Sequence, residues 1–239
     1  MNDAMSVLLA LSLATLPPQT PTSSRAEVEI MVARYVTAVG GPAAIAAIAS
    51  RVTRGMFDNG RGMVEPFVTF VKAPDHFATH IGRKEIGDAG GSGRASDGRI
   101  GWDKNFVGTG LRDLSASEIA EVRRSADPFR PAHLVSTCTT VAVEERRDPA
   151  AGQVLRCELP EGTERWSFNA ATGLVDRLDI TSRAGRVTTI FYEDYRRADG
   201  VLTPFRERIV LPGAKITYAA SSIRFNEVVP DDVFARPAR

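Results

Sequence analysis

Few residues of this chain combine the type and spacing that chemistry requires. It holds three histidines. His76 and His80 are four apart in a strand-like segment, so they share a face but stand about 13 Å apart along it, too far to ligate one metal. His133 follows Pro131 on a connection, with no carboxylate or thiol partner visible in the sequence. Cys138 and Cys157 flank a turn at Asp148–Gly152. Hairpin pairing around that turn sets Cys157 opposite Val141, which leaves Cys138 about three residues short of facing it. A disulfide and two separately buried thiols both remain open. The adjacent acids Glu193-Asp194 alternate faces on a strand, and Asp231-Asp232 beside Pro230 suit a turn, so neither reads as an acid–base pair. Nucleophile-elbow, zinc-helix, phosphate-loop and dinucleotide motifs do not occur in the sequence. The expectation is no catalytic residue, no metal and no cofactor. Aromatic residues give a different signal: Phe67, Phe70, Phe77, Trp102, Trp166, Phe168, Phe191 and Phe205 are spread over many segments. They either fill a core or line an apolar cavity fit for acyl chains. Phe70, Trp166 and Phe168 are the candidate ligand-lining residues, since alternation turns them away from Thr69 and Arg165 and so inward.

These side chains must be held by strands. From Thr137 to Phe225 a turn signal falls in nearly every gap: Asp148–Gly152, Pro160-Glu161-Gly162, Ala171-Thr172-Gly173, Ala184-Gly185, Asp199-Gly200 and Pro212-Gly213. Between them lie β-branched and aromatic runs such as Val187–Tyr192, the pattern of consecutive antiparallel hairpins. Crossover helices would need longer gaps, which disfavours a parallel sheet. Earlier strands are expected at Arg51–Asp58, Val64–Lys72 and His76–Ile81, with a weaker pair around Gly93–Asp103. In the second of these, Val64, Val68 and Phe70 face one way while Phe67 and Val71 face the other, so it is covered on both sides. The Gly87–Gly93 loop reads as a flexible connection, because a phosphate cradle would need a strand–loop–helix setting.

Helices come first in the chain. Ser24-x-x-Glu27 has capping-box spacing, and Val28, Met31, Val32, Tyr35, Val36 and Val39 make one apolar stripe after it. Gly40-Gly41 stops this helix, and Pro42 opens a short second one to Ser50. Ser115-x-x-Glu118 opens a third, ended by Asp127-Pro128. The fold class that follows is mainly β (α+β), with about eleven strands and about three helices in one unit of residues 25–239.

At 239 residues and net charge +1, with 43% hydrophobic residues, the chain suits one large β domain and lacks the basic excess of a nucleic-acid binder. Ser6–Leu16 is an uncharged apolar run followed by Pro17-Pro18 and a polar segment to Ser24. A run of that length is too short to span a bilayer and suits an export signal. Residues 1–24 are therefore expected to be a signal peptide and linker.

The order of several short motifs is familiar. Tyr35 precedes Gly40-Gly41-Pro42, Ile45 and Ile48. Lys72-Ala73-Pro74-Asp75 then precedes Phe77, and Asp97-Gly98-Arg99 precedes Gly101-Trp102. Further on come Phe168-Asn169 with Gly173-Leu174, then Tyr192-Glu193-Asp194-Tyr195 with Gly200-Val201 and Pro204-Phe205. The chain closes on Phe225-Asn226, Pro230, Phe234 and Pro237. This pattern, over about residues 27–237, resembles the outer-membrane lipoprotein-sorting proteins, the LolA-like superfamily. The resemblance implies a single curved, unclosed antiparallel β-barrel covered by helices, with a hydrophobic cavity. It further implies a periplasmic, non-enzymatic carrier or sensor whose partner is a lipid or an acylated lipoprotein. Such a protein is expected to be a monomer touching membranes peripherally. An envelope regulator with a protein partner, and a small-molecule enzyme on the same fold, are the alternatives.

Overall fold

The computed structural model describes residues 25–82, 91–105, 110–144 and 152–237. The signal segment, the Ser24 half of the first capping box and most of the Gly87–Gly93 loop lie outside them. Two helices open the chain, α1 (Arg25–Val39) and α2 (Pro42–Ala46). Next come β1 (Ser50–Asp58), β2 (Val64–Lys72), β3 (His76–Ile81), β4 (Ser92–Ser96), β5 (Gly101–Lys104) and the two-residue β6 (Arg112–Asp113). A helical layer follows: α3 (Ala116–Ser125), a 3-10 turn at Arg130–His133 and α4 (Leu134–Thr137). The remaining strands are β7 (Thr140–Glu144), β8 (Gln153–Leu159), β9 (Gly162–Phe168), β10 (Val175–Ser182), β11 (Val187–Ala198), β12 (Val201–Leu211) and β13 (Ala214–Phe225). A 3-10 turn at Asp231–Phe234 closes the described chain.

All thirteen strands join one antiparallel sheet in the order β6-β5-β4-β3-β2-β1-β13-β12-β11-β10-β9-β8-β7. The mainly β expectation stands. The count exceeds about eleven, and the least legible strand is β6, whose two residues carry no alternation. Because β6 and β7 do not pair, the sheet curves without closing. Curvature has a local cause at β1, where the register with β13 shifts between Arg54 and Gly55. A Cβ on Gly55 would lie 2.1 Å from the Ala219 carbonyl oxygen, so only glycine lets the strands close up there.

Directly paired residues share a face, so the registers sort the whole sheet into an inner, helix-bearing face and an outer one. On the inner face α1 buries Val28, Met31, Tyr35 and Val39 against Leu155, Trp166, Phe168, Val175 and Leu178. Tyr35 meets Phe168 edge-on at 6.1 Å between ring centroids. Val32 and Val36 flank this stripe and are partly buried. The second helix ends at Ala46 instead of Ser50, since β1 claims Ser50 and Asn226 takes the backbone in between. Its amide oxygen accepts from the Ala49 N–H at 2.8 Å, and its amide nitrogen donates to the Ala47 carbonyl at 3.0 Å. The third helix has the expected capping box at Ser115 and Glu118.

The outer face carries a second core, as the two-sided pattern of β2 requires. Val52, Ala78, Ala95 and Trp102 are buried there with Val229 and Phe234 of the C-terminal segment. The Trp102 indole N–H donates to the Ala235 carbonyl at 3.0 Å, which ties that segment down.

Cys138 and Cys157 are bonded to each other. Cys157 faces Val141, as the hairpin register demands. Cys138 reaches it from outside the ladder, at the C-terminal end of α4, with Cα atoms 5.4 Å apart. Replacing both with alanine is expected to cost about 3 kcal/mol, the entropy of opening a loop of this size. Urea unfolding of oxidised wild type against the variant would measure it; a difference near zero would mean that α4 is held without the bond.

Candidate functional site

The inner face is filled at one end and less covered further along. Under α1 it is filled, with Trp166 and Phe168 buried. Toward β13 the same face continues along the cross-strand row Trp166–Leu178–Ile190–Ile209–Ile216. Here Ile190, Ile209 and Ile216 keep part of their surface accessible. A neighbouring row runs Tyr192–Glu207–Tyr218–Phe57. An apolar stripe is thus left partly uncovered on the helix-bearing face.

An electrically unusual group lies on the same face. Arg51, Tyr192 and Glu207 are partly exposed yet lie deep among protein atoms. Burial favours the neutral form of each group. It lowers the Arg51 pKa, against the opposing pull of Glu207, and raises the Glu207 carboxyl, against Arg51. Burial, with Glu207 next, pushes the Tyr192 phenol far up and Tyr218 up to about 12. Arg51 and Glu207 interact only through space: neither forms a hydrogen bond or ion pair among the described residues, and the Arg51 Nε is buried without a partner.

A second buried charge pair is in direct contact, although the Arg130 Nε has no hydrogen-bond partner among the described residues. Arg130, on the 3-10 turn, donates to Glu164 of β9, and the Trp166 indole donates to the same carboxylate oxygen at 3.1 Å. The Arg130 guanidinium also stacks over the Trp166 ring at 5.4 Å. Glu164 is 2% exposed and Arg130 8%. This cluster fastens the helical layer to the sheet.

A cavity of about 240 Å³ opens between α2, the ends of β1 and β2, and the turn after α3. Apolar residues dominate its lining (Ile45, Ile48, Val71, Pro74, Phe129), with Ser50, Asp127 and His133 as its polar members. His133 Nδ1 lies 2.6 Å from Asp127 Oδ2. Val71, which lines the cavity, is the cross-strand partner of Arg51. Its volume falls below the roughly 300–1,000 Å³ of a complete ligand site, which suits a vestibule. A recess of about 10 Å³ beside Arg34 and Asn169 holds no more than a water molecule.

No protein-family model matches this chain, and no curated protein matches it in sequence. Solved structures do resemble it. A DUF1329 family protein from Desulfovibrio piger is 14% identical, covers 90% of this chain and 98% of its own, and gives a TM-score of 0.57. A LolA superfamily protein from Nitrosomonas europaea, also 14% identical, covers 87% and 97% with a TM-score of 0.55. The fold is LolA-like.

Within the LolA-like sheet the three candidate lining residues do not converge. Trp166 and Phe168 sit on the inner face, in the filled end beneath α1. Phe70 pairs with Val52 and Ala78 and packs into the outer core near Trp102 and Phe234. The inner residue is its neighbour Thr69, whose hydroxyl meets that of Thr79 at 3.1 Å. Alternation separates Thr69 from Phe70 without saying which points inward, and the sheet settles it. His76 and His80 lie on the outer face, where His76 meets the Phe234 ring. The Asp127 partner of His133 was within reach of sequence reasoning: it is six residues upstream, at the turn that ends α3. Arg51, Glu207 and the Arg130–Glu164 pair carried no such signal, because a charged residue on a strand or turn ordinarily faces water. Among the described residues no helix is long and apolar enough to cross a membrane, and no group of three metal-ligating side chains gathers.

Proposed function

We propose that this protein is an exported carrier or sensor of lipid or lipoprotein acyl chains, taken up in a trough on the inner face. The observation that carries the reading is the partly uncovered row Ile190–Ile209–Ile216 on the helix-bearing side of an unclosed sheet. Apolar surface in that position gains from covering by about 25 cal/mol per Å², and an acyl chain offers the matching shape. Trp166 and Phe168 form the closed end of the trough, and Phe70 supports its wall from behind. The apolar run Ser6–Leu16 supports export, and the LolA-like fold agrees with an envelope location.

Native mass spectrometry of protein purified from an exporting host is expected to find an acyl-bearing ligand, and the emptied protein to take up a fluorescent fatty acid. Protein that is always ligand-free and never takes up the probe would overturn the proposal.

A further inference from the structure

We infer that Arg51 is the head-group site of the trough, and that the ligand is a single-chain amphiphile with an anionic head, a fatty-acid carboxylate. The inference rests on the acyl-binding reading and deepens it. Arg51 stands on the inner face in the row Phe225–Arg51–Val71–Phe77, so apolar side chains neighbour it along the sheet. Its Nε is buried without a hydrogen-bond partner, and the whole guanidinium lacks an ion pair among the described residues. A guanidinium nitrogen buried without a partner is costly, and proteins ordinarily give an enclosed guanidinium a carboxylate or phosphate; the rest of Arg51 keeps some accessible surface where an anion could reach it. The other arginines of this chain mostly follow that rule: Arg130 has Glu164, Arg208 has Glu193 and Arg54 has Glu227. Arg51 is left with Glu207 across a gap, and with Tyr192, Asp127 and Tyr35 acting on it at a distance.

What would complete the site is an anion placed against Arg51 from the interior, with its apolar tail along Ile190, Ile209 and Ile216. A carboxylate matches the fork geometry of one guanidinium. Burial favours the neutral carboxyl of Glu207, which then repels no incoming anion. The cavity at Ser50 and Val71 supplies the approach from outside, since those residues flank Arg51 in the chain and across the ladder.

The test compares palmitate with hexadecanol, the same chain without charge, by calorimetry on the full mature chain. Wild type is expected to bind palmitate about tenfold or more tightly than hexadecanol, as a charge-assisted hydrogen bond would give. Arg51→Gln is expected to lose that preference while keeping its affinity for hexadecanol, and Arg51→Lys to retain part of it. Inorganic phosphate in excess is expected to leave palmitate bound. Because Arg51 has no ion-pair partner among the described residues to lose, Arg51→Gln should melt close to wild type.

Equal affinity of wild type for the acid and the alcohol would overturn the head-group site and leave the acyl trough standing. A palmitate preference that survives in Arg51→Gln would overturn it too, as would displacement by phosphate, which would assign the site to small free anions. Failure of both chains to bind wild type would sink the acyl reading and this inference together.

Discussion

Glu164→Gln is expected to lower the stability of the domain by about 3–5 kcal/mol, the usual result of stranding one half of a buried ion pair. Arg130 would keep its charge, 8% exposed, with no carboxylate to receive it. The glutamine amide oxygen can still accept from Arg130 and the Trp166 indole, so what is lost is the negative charge. For a chain of this length each kcal/mol moves the melting temperature by roughly 2–4 °C, so the shift should be plain in a thermal scan. Added salt should barely change it, because screening acts weakly on a pair closed off from solvent. The double variant Arg130→Met with Glu164→Leu supplies the control. Removing both charges is often neutral, so it should recover most of what Glu164→Gln loses. If the double variant is no better than the single one, the cluster holds the helical layer by packing and not by charge.

Phe168→Ala should cost about 3–5 kcal/mol, as truncation of a buried phenylalanine does. Its ring is 5% exposed and sits edge-on to Tyr35 beneath α1. Ile209→Ala should behave differently. Ile209 is partly exposed in the open part of the same face, so its loss should fall well below the roughly 2–5 kcal/mol of a fully buried isoleucine. Binding of a fluorescent fatty acid should weaken in Ile209→Ala and survive in Phe168→Ala where that variant is folded. Chemical denaturation and ligand titration on the two proteins separate core from trough. Equal stability losses at both positions would mean that the inner face is packed throughout.

The gap between Phe168 and Ile209 marks where sequence reasoning stops. Both are apolar residues in alternating strands, and nothing local distinguishes them. Helix α1 lies over one and not the other, a consequence of contacts between Tyr35 and residues more than a hundred positions away. Phe70 teaches the same lesson from the other direction. Its strand has two apolar faces, and the choice of inner face depends on how thirteen strands align and on a C-terminal segment that covers the outer one.

By itself, the sequence determined what local stereochemistry controls. Glycine-bearing turns fixed the succession of hairpins, the box at Ser115 and Glu118 fixed the start of α3, and the stripe from Val28 to Val39 fixed the buried side of α1. Each depends on interactions a few residues long. Tertiary structure alone decided which charges are buried and which are paired. Arg130 and Glu164 are 34 residues apart, and Arg51 is enclosed only because distant strands curl around it. A strand residue's periodicity reports two faces with equal weight. Whether one of them meets water, a helix or an empty space is set by the register shifts and curvature that accumulate across the sheet.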